Sequence, residues 1–210
     1  MLQEILHFFG RAICHQIEER SLLASGKTLS VCARDTGIYI GIFSSLFYLH
    51  MTKRNTNITI PTIRTSFFLL LLMAPMIMDG LGSYTHVFES SNVRRLVTGI
   101  YFGLVLPYFL YPLVIGKALK KKAQPVITKA ADFLIPFLIS CSLGGLVYWG
   151  GLPFKVIDSF IILVIFSWGS LLVSFLFSKI QHNLLKWTFS IAGSLAMLTF
   201  LSILHKLIIS

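Results

Sequence analysis

Of the 210 residues, 55% are hydrophobic and only 12% charged, and the mean hydropathy is +0.80, which leaves too little polar surface for a soluble domain of this size. A formal charge of +10 and an isoelectric point near 9.7 do not point to nucleic acid, because the Lys and Arg residues sit in short segments between apolar runs, where topology and anionic lipid account for them. Three cysteines (Cys14, Cys32, Cys141) are too few for a disulfide scaffold, and Glu4, His7, Arg11 and Glu18 interrupt the stretch where a cleavable signal would be apolar.

In chain order, residues 2–17 put Leu2, Ile5, Leu6, Phe9, Ile13 and Ile17 on one helical stripe, the pattern of an amphipathic helix lying in the membrane interface. It belongs to a segment 1–35 that precedes the first span. A helix needs about 20 largely apolar residues to cross the hydrocarbon core. On that rule spans are expected near 36–52, 61–79, 96–116, 131–150, 156–178 and 187–208. The predicted fold is all-α: a polytopic transmembrane helix bundle of about six spans over residues 36–208, with an N-terminal interfacial helix. Pro75, Pro107, Pro112 and Pro136 fall inside spans, where neighbouring helices can satisfy the freed carbonyls.

Orientation follows from the basic residues in the loops. Lys53, Arg54 and Arg64 follow the first span, Lys117, Lys120, Lys121, Lys122 and Lys129 the third, and Lys179 and Lys186 the fifth. Six spans place all three loops on one side, with ten basic residues there against eight on the other, four of the eight in the N-terminal stretch. The positive-inside rule makes that side cytoplasmic. The expectation is a multi-pass cell-membrane protein with both termini, residues 1–35 and residues 80–95 outside the cytoplasm.

Those two segments hold most of the unusual polar chemistry. The first reads Cys14-His15-Gln16, then Glu18, Arg20 and Ser21, then Cys32-Ala33-Arg34-Asp35-Thr36-Gly37. Here the sequence resembles a family of prokaryotic membrane proteins known as domain of unknown function 2085, whose hallmark is Cys-His-Gln, a nearby Arg-Ser, then Cys-x-Arg-Cys-x-Gly. The resemblance runs through Asp79-Gly80 and Glu89-Ser90-Ser91-Asn92 to Arg95 and Thr98-Gly99, over roughly residues 14–103. Asp35 stands where the family pattern has its last cysteine. The resemblance implies a membrane protein and brings no activity with it.

Two uses of these residues are expected. Arg34-Asp35-Thr36-Gly37 and Arg95-Leu96-Val97-Thr98-Gly99 each open a helix that carries Gly-x-x-x-Gly, a spacing that lets parallel helices pack closely. Two such N-termini with Arg34, Arg95 and Asn92 would bind an anionic group, such as the phosphate of an anionic lipid or lipid-linked substrate. Asp35, Asp79, His86 and Glu89 are the candidate acids or bases of an enzyme on such a substrate. The competing use is a zinc site from Cys14, His15, Cys32 and Asp35, with a Cys14–Cys32 disulfide as a third option. If Cys14 and His15 stay helical their side chains diverge by about 100°, which argues against both binding one ion.

Lys155 and Asp158, one turn apart, are expected to form a local ion pair. No nucleotide-binding glycine loop, His-Glu-x-x-His or Gly-x-Ser-x-Gly motif is present. A transporter would be expected to carry charge deep in several spans, and the spans here are nearly free of it, so a carrier ranks below an enzyme or an accessory scaffold.

Overall fold

The computed structural model describes residues 2–54, 56–114, 123–177 and 182–209, so Lys117, Lys120, Lys121, Lys122 and Lys179 lie outside the described residues. The order is α1 (Leu2–Gly10), a 3-10 turn (Glu18–Arg20), a hairpin of β1 (Ser21–Ala24) and β2 (Lys27–Cys32), α2 (Ala33–Lys53), β3 (Ile58–Thr59), α3 (Ile63–Tyr84), α4 (Asn92–Val114), β4 (Gln124–Pro125), α5 (Ala131–Tyr148), α6 (Phe154–Leu176) and α7 (Asn183–Ile209). This is an all-α polytopic bundle. Among the described residues five helices, α3 to α7, are both long and apolar enough to cross a membrane.

The sixth expected span, α2, is less apolar but has 21 residues, a rise of about 31 Å. It lies against α4 along its length. Gly37 meets the Leu96 carbonyl, Gly41 the Ile100 carbonyl, Gly99 the Arg34 carbonyl and Gly103 the Ile38 carbonyl. Residue numbers rise together along both helices, so the two are parallel and α2 runs beside α4 over much of its length. A Cβ on Gly41 would sit 2.6 Å from the Ile100 carbonyl oxygen, so glycine is what permits this approach. Farther along, Ser45 Oγ donates to the Leu104 carbonyl at 2.8 Å.

Lipid as solvent explains the distribution of side chains. Thr36, Ser44, Ser45, Ser140, Ser174, Ser190, Ser194 and Ser202 are buried, while Phe67, Leu70, Leu138, Leu163 and Phe200 are exposed on the outer helix faces. Large exposed apolar surface of this kind is a lipid-facing surface. Ser44 and Ser190 satisfy their hydroxyls on carbonyls one turn back, at 2.8 and 2.7 Å. The lower hydropathy of α2 has the same origin, because protein surrounds it and small polar residues can face its neighbours.

One end of the bundle gathers α1, the hairpin, the N-termini of α2, α4 and α6 and the C-termini of α3, α5 and α7. Ser202 Oγ on α7 donates to the Phe8 carbonyl at 2.6 Å. Asp158, fully buried on α6, accepts from Ser30 N and Oγ at 2.9 and 2.7 Å, which ties the hairpin to the bundle. The expected Lys155–Asp158 pair does not form; Lys155 points outward and β2 supplies the partner instead. At the other end Asp132, in the first turn of α5, accepts from Thr128 N (2.8 Å), Lys129 N (3.0 Å) and Tyr48 Oη (2.9 Å), with Lys53 Nζ 3.2 Å away.

The N-terminal segment is more structured than its amphipathic stripe suggests. Helix α1 stops at Gly10, where the chain presses on the Ser30 carbonyl, and Gln16 turns it back at φ +54°. Leu6 and Phe9 then join the core formed with the hairpin and α6, while Leu2 and Ile5 stay exposed. The hairpin turns on Ser25 (φ +51°) and Gly26 (φ +75°), the paired positive angles of a type I′ turn.

Replacing Gly41 or Gly103 with leucine is expected to separate α2 from α4 at a cost of about 2 kcal/mol or more. Thermal unfolding of the purified variants in detergent checks this, and unchanged midpoints in both would remove the glycines as the packing determinant.

Candidate functional site

Three chain segments meet where β2 runs into α2. Cys14 follows the end of α1, Cys32 is the N-cap of α2, and Asp35 lies in the first helical turn, on the side of Cys32. Cys32 N donates to Cys14 Sγ at 3.1 Å, and Cys32 Sγ is 3.2 Å from Asp35 Oδ2. The two thiols and the carboxylate all lie within 4.8 Å of one another, a cluster that could hold a metal ion. Both cysteines are free thiols. A hydrogen bond between the two thiols holds Cys14 below its ordinary range, and the same hydrogen bond, with burial, pushes Cys32 up.

Gln16 fixes the Cys14 side of this arrangement. Its Nε2 donates to the His7 carbonyl at 2.7 Å and to the Ser30 carbonyl at 2.9 Å, joining α1 to β2. His15 points away from the cluster. Its ring packs edge-on against His205 of α7, with centroids 4.8 Å apart.

Beside the cluster, Asp79 near the end of α3 is fully buried and serves two arginines. Arg34 Nη2 reaches Oδ2 at 2.6 Å, Arg94 Nε reaches Oδ1 at 2.9 Å, and Ser90 Oγ donates to Oδ1 at 2.7 Å. Arg94 also lies over the Phe88 ring, 4.2 Å from its centroid. This network clamps α2, α3 and α4 together where the 85–91 loop closes.

Arg95 has different company. It is 8% exposed, and its guanidinium reaches Asn92 Oδ1 at 3.3 Å and Ser83 Oγ at 3.5 Å, both long bonds. Among the described residues no carboxylate lies within ion-pair distance of it. Asn92 is held in turn, donating to the Glu19 carbonyl at 3.1 Å and the Ser21 carbonyl at 3.4 Å. Arg95 forms one wall of a polar pocket of about 600 Å³ whose other walls include Glu19, Arg20, Ser83, His86 and Glu89. His86 sits in the left-handed region at φ +57°. A larger groove of about 710 Å³ opens between α2, α6 and α7 and is largely apolar, with His50, Tyr111, Ser167, Ser170 and Trp187 as its polar-tipped residues.

Of the residues expected to act, Cys14, Cys32 and Asp35 come together and His15 stays apart. Arg95, Asn92, His86 and Glu89 gather at or beside the pocket, whereas Arg34 and Asp79 engage each other. Arg20, a pocket residue, was not among the expected anion ligands. Its signal was weak, one arginine ahead of an unrecognised hairpin, and only the turn at Ser25-Gly26, a Ser-Gly pair between two apolar runs, could have shown that it folds back towards α4.

The pattern of the predicted membrane protein family DUF2085 matches residues 14–109. An uncharacterised protein of Methanocaldococcus jannaschii is 30% identical over 109 residues, covering 52% of this chain and 68% of that protein. An uncharacterised protein of Methanothermobacter thermautotrophicus is 36% identical over 96 residues, 46% of this chain and 82% of that one. No solved structure matches significantly. The matched region contains the cysteine cluster, the arginine network and the packed pair α2–α4.

Because Asp79 neutralises two cations while fully buried, Asp79→Asn is expected to leave Arg34 and Arg94 unpaired and to cost about 3 kcal/mol. Glu89→Gln, at the pocket edge, is expected to change stability by less than about 0.5 kcal/mol. Comparison of the two melting curves checks the assignment; equal effects would mean that Asp79 is not the hub.

Proposed function

The chain belongs to the DUF2085 family of predicted membrane proteins, and from its buried, carboxylate-free Arg95 we propose that the pocketed face binds the anionic group of a lipid or lipid-linked molecule. A guanidinium held out of water without a counter-charge is costly, and an entering anion offsets that cost. Arg95 offers a planar fork that suits two oxygens of a phosphate or carboxylate, and Arg20 adds a second cation across the pocket. Arg34 takes no part in this contact, since Asp79 occupies it. His86 and Glu89 line the same space and are the groups from which an enzyme would draw its acid and base.

The placement of buried charge favours a surface site over a carrier. Asp79, Arg95, Asp132 and Asp158 all lie within two turns of a helix end. Among the described residues, the interior between them offers hydroxyls and apolar side chains, with no buried ionisable relay from one end to the other.

We assign the pocketed face to the exterior of the cell membrane. The six-span reading puts ten basic residues, Lys53, Arg54, Arg64, Lys129 and Lys186 among them, in loops at the opposite end against eight at the pocketed end, the bias that the positive-inside rule associates with the cytoplasm. A cysteine placed at Thr85 should react with an impermeant maleimide in intact cells, above the wild-type background, and one at Lys129 should not. The reverse pattern would invert the protein in the membrane.

Ligand binding is read from thermal midpoints of the purified protein in nanodiscs. In phosphatidylcholine, inorganic phosphate and glycerol phosphate are expected to raise the midpoint in a saturable way, as is replacing part of the lipid with phosphatidylglycerol. Arg95→Ala should abolish the response, Arg95→Lys weaken it by about tenfold, and Arg64→Lys, at the opposite face, leave it intact. A response to phosphate alone identifies a free anion, and one to phosphatidylglycerol alone a lipid headgroup. No response to either, or an unchanged response in Arg95→Ala, overturns the assignment.

A further inference from the structure

The cysteine cluster does not overlap the pocket, and its donor set points to a different ligand. We propose that Cys14 Sγ, Cys32 Sγ and a carboxylate oxygen of Asp35 bind one zinc ion. Zinc takes thiolate sulfur at about 2.3 Å and carboxylate oxygen at about 2.0–2.2 Å in tetrahedral geometry, which sets sulfur–sulfur edges near 3.8 Å and sulfur–oxygen edges near 3.5 Å. Cys32 Sγ and Asp35 Oδ2 stand 3.2 Å apart, and no pair of the three atoms exceeds 4.8 Å. Side-chain rotations of less than about 1 Å therefore complete the set.

Three features of the surroundings suit a bound metal. The Cys32 amide points at Cys14 Sγ from 3.1 Å, an outer hydrogen bond of the kind that orients and steadies a metal-bound sulfur. Cys32 and Asp35 occupy the N-cap and first turn of a 21-residue helix, where the dipole favours negative charge. Neither ligand arm is loose: Gln16 holds the Cys14 turn to α1 and β2, and the ladder places Cys32 opposite Ser21. Two thiolates and a carboxylate around a divalent ion carry one net negative charge, beside Arg34. Three protein ligands are also the number used where zinc keeps a position for water or a fourth donor.

The proposal is independent of the anion reading, since no ligand belongs to the pocket. The test is metal analysis of the full chain purified without chelator, in parallel with alkylation of its cysteines before and after reduction. One zinc per chain is expected, lost in Cys14→Ser and in Cys32→Ser, bound at least tenfold more weakly in Asp35→Asn, and unchanged in Cys141→Ser. Should the serine variants fail to fold, wild-type protein stripped by chelator and refilled with cobalt must show the thiolate-to-cobalt charge-transfer band, with Cys14 and Cys32 protected from alkylation. Absence of that band overturns the proposal. So does zinc that survives both serine substitutions, which would be adventitious, or a Cys14–Cys32 bridge that resists alkylation until reduced. Phosphate binding that persists after zinc removal leaves the pocket assignment standing on its own.

Discussion

Parallel transmembrane helices repel one another's side chains unless something small lies between them, and here four glycines on two helices remove the obstacle at successive turns. Gly37 and Gly41 on α2 and Gly99 and Gly103 on α4 bring backbone to backbone, so the helices share a fixed register. In lipid, where apolar side chains gain nothing by leaving the solvent, close van der Waals contact and buried polar contacts must hold helices together. That register sets Arg34, in the first turn of α2, against Gly99, two turns into α4. The cysteine cluster, the Asp79 network and the polar pocket all hang from those two helix starts or from the segments that reach them.

The glycine contact also explains why the charges are tolerated. Arg34 and Arg94 emerge at the same height and share one carboxylate from α3, so three helices converge on a buried ion network. Removing any register constraint would leave cations without partners at the edge of the hydrocarbon region, where an unpaired charge costs several kcal/mol. A comparable hub at the other end, Asp132 with Tyr48, Lys53 and the amides of Thr128 and Lys129, locks α5 to α2. The bundle is thus closed at both ends by single aspartates and opened to lipid along its sides.

Much of this was legible in the sequence, because lipid imposes simple rules. Span lengths, the Gly-x-x-x-Gly pair and the proximity of Cys32 and Asp35 follow from hydropathy and spacing, since an i, i+3 pair at a helix start must share a side. What could not be read depended on tertiary partners. The sequence places residues 1–35 in an interfacial amphipathic segment, yet residues 11–32 form a turn and a hairpin that Asp158, some 128 residues later, holds in place through Ser30. The same distant contact diverts Asp158 from Lys155, which local spacing favoured. Arg34 and Arg95 read alike, each two or three residues before a Thr-Gly, and only the position of Asp79 separates them.

That separation bears on how arginines near a membrane should be read. Four of them crowd this face, Arg20, Arg34, Arg94 and Arg95, and exposure alone would rank Arg94 as the one best placed for a ligand. Counter-charge ranks them differently. Asp79 consumes Arg34 and Arg94, whose strong hydrogen bonds an incoming anion would have to replace, at no net gain. Arg95 is the most enclosed of those whose contacts are described, and yet meets only neutral oxygens at long range. Its desolvation has already occurred in the folded state, so an anion reaching it through the pocket adds attraction without further loss of hydration at the cation. A site is better recognised by what a buried charge lacks than by how many like charges surround it.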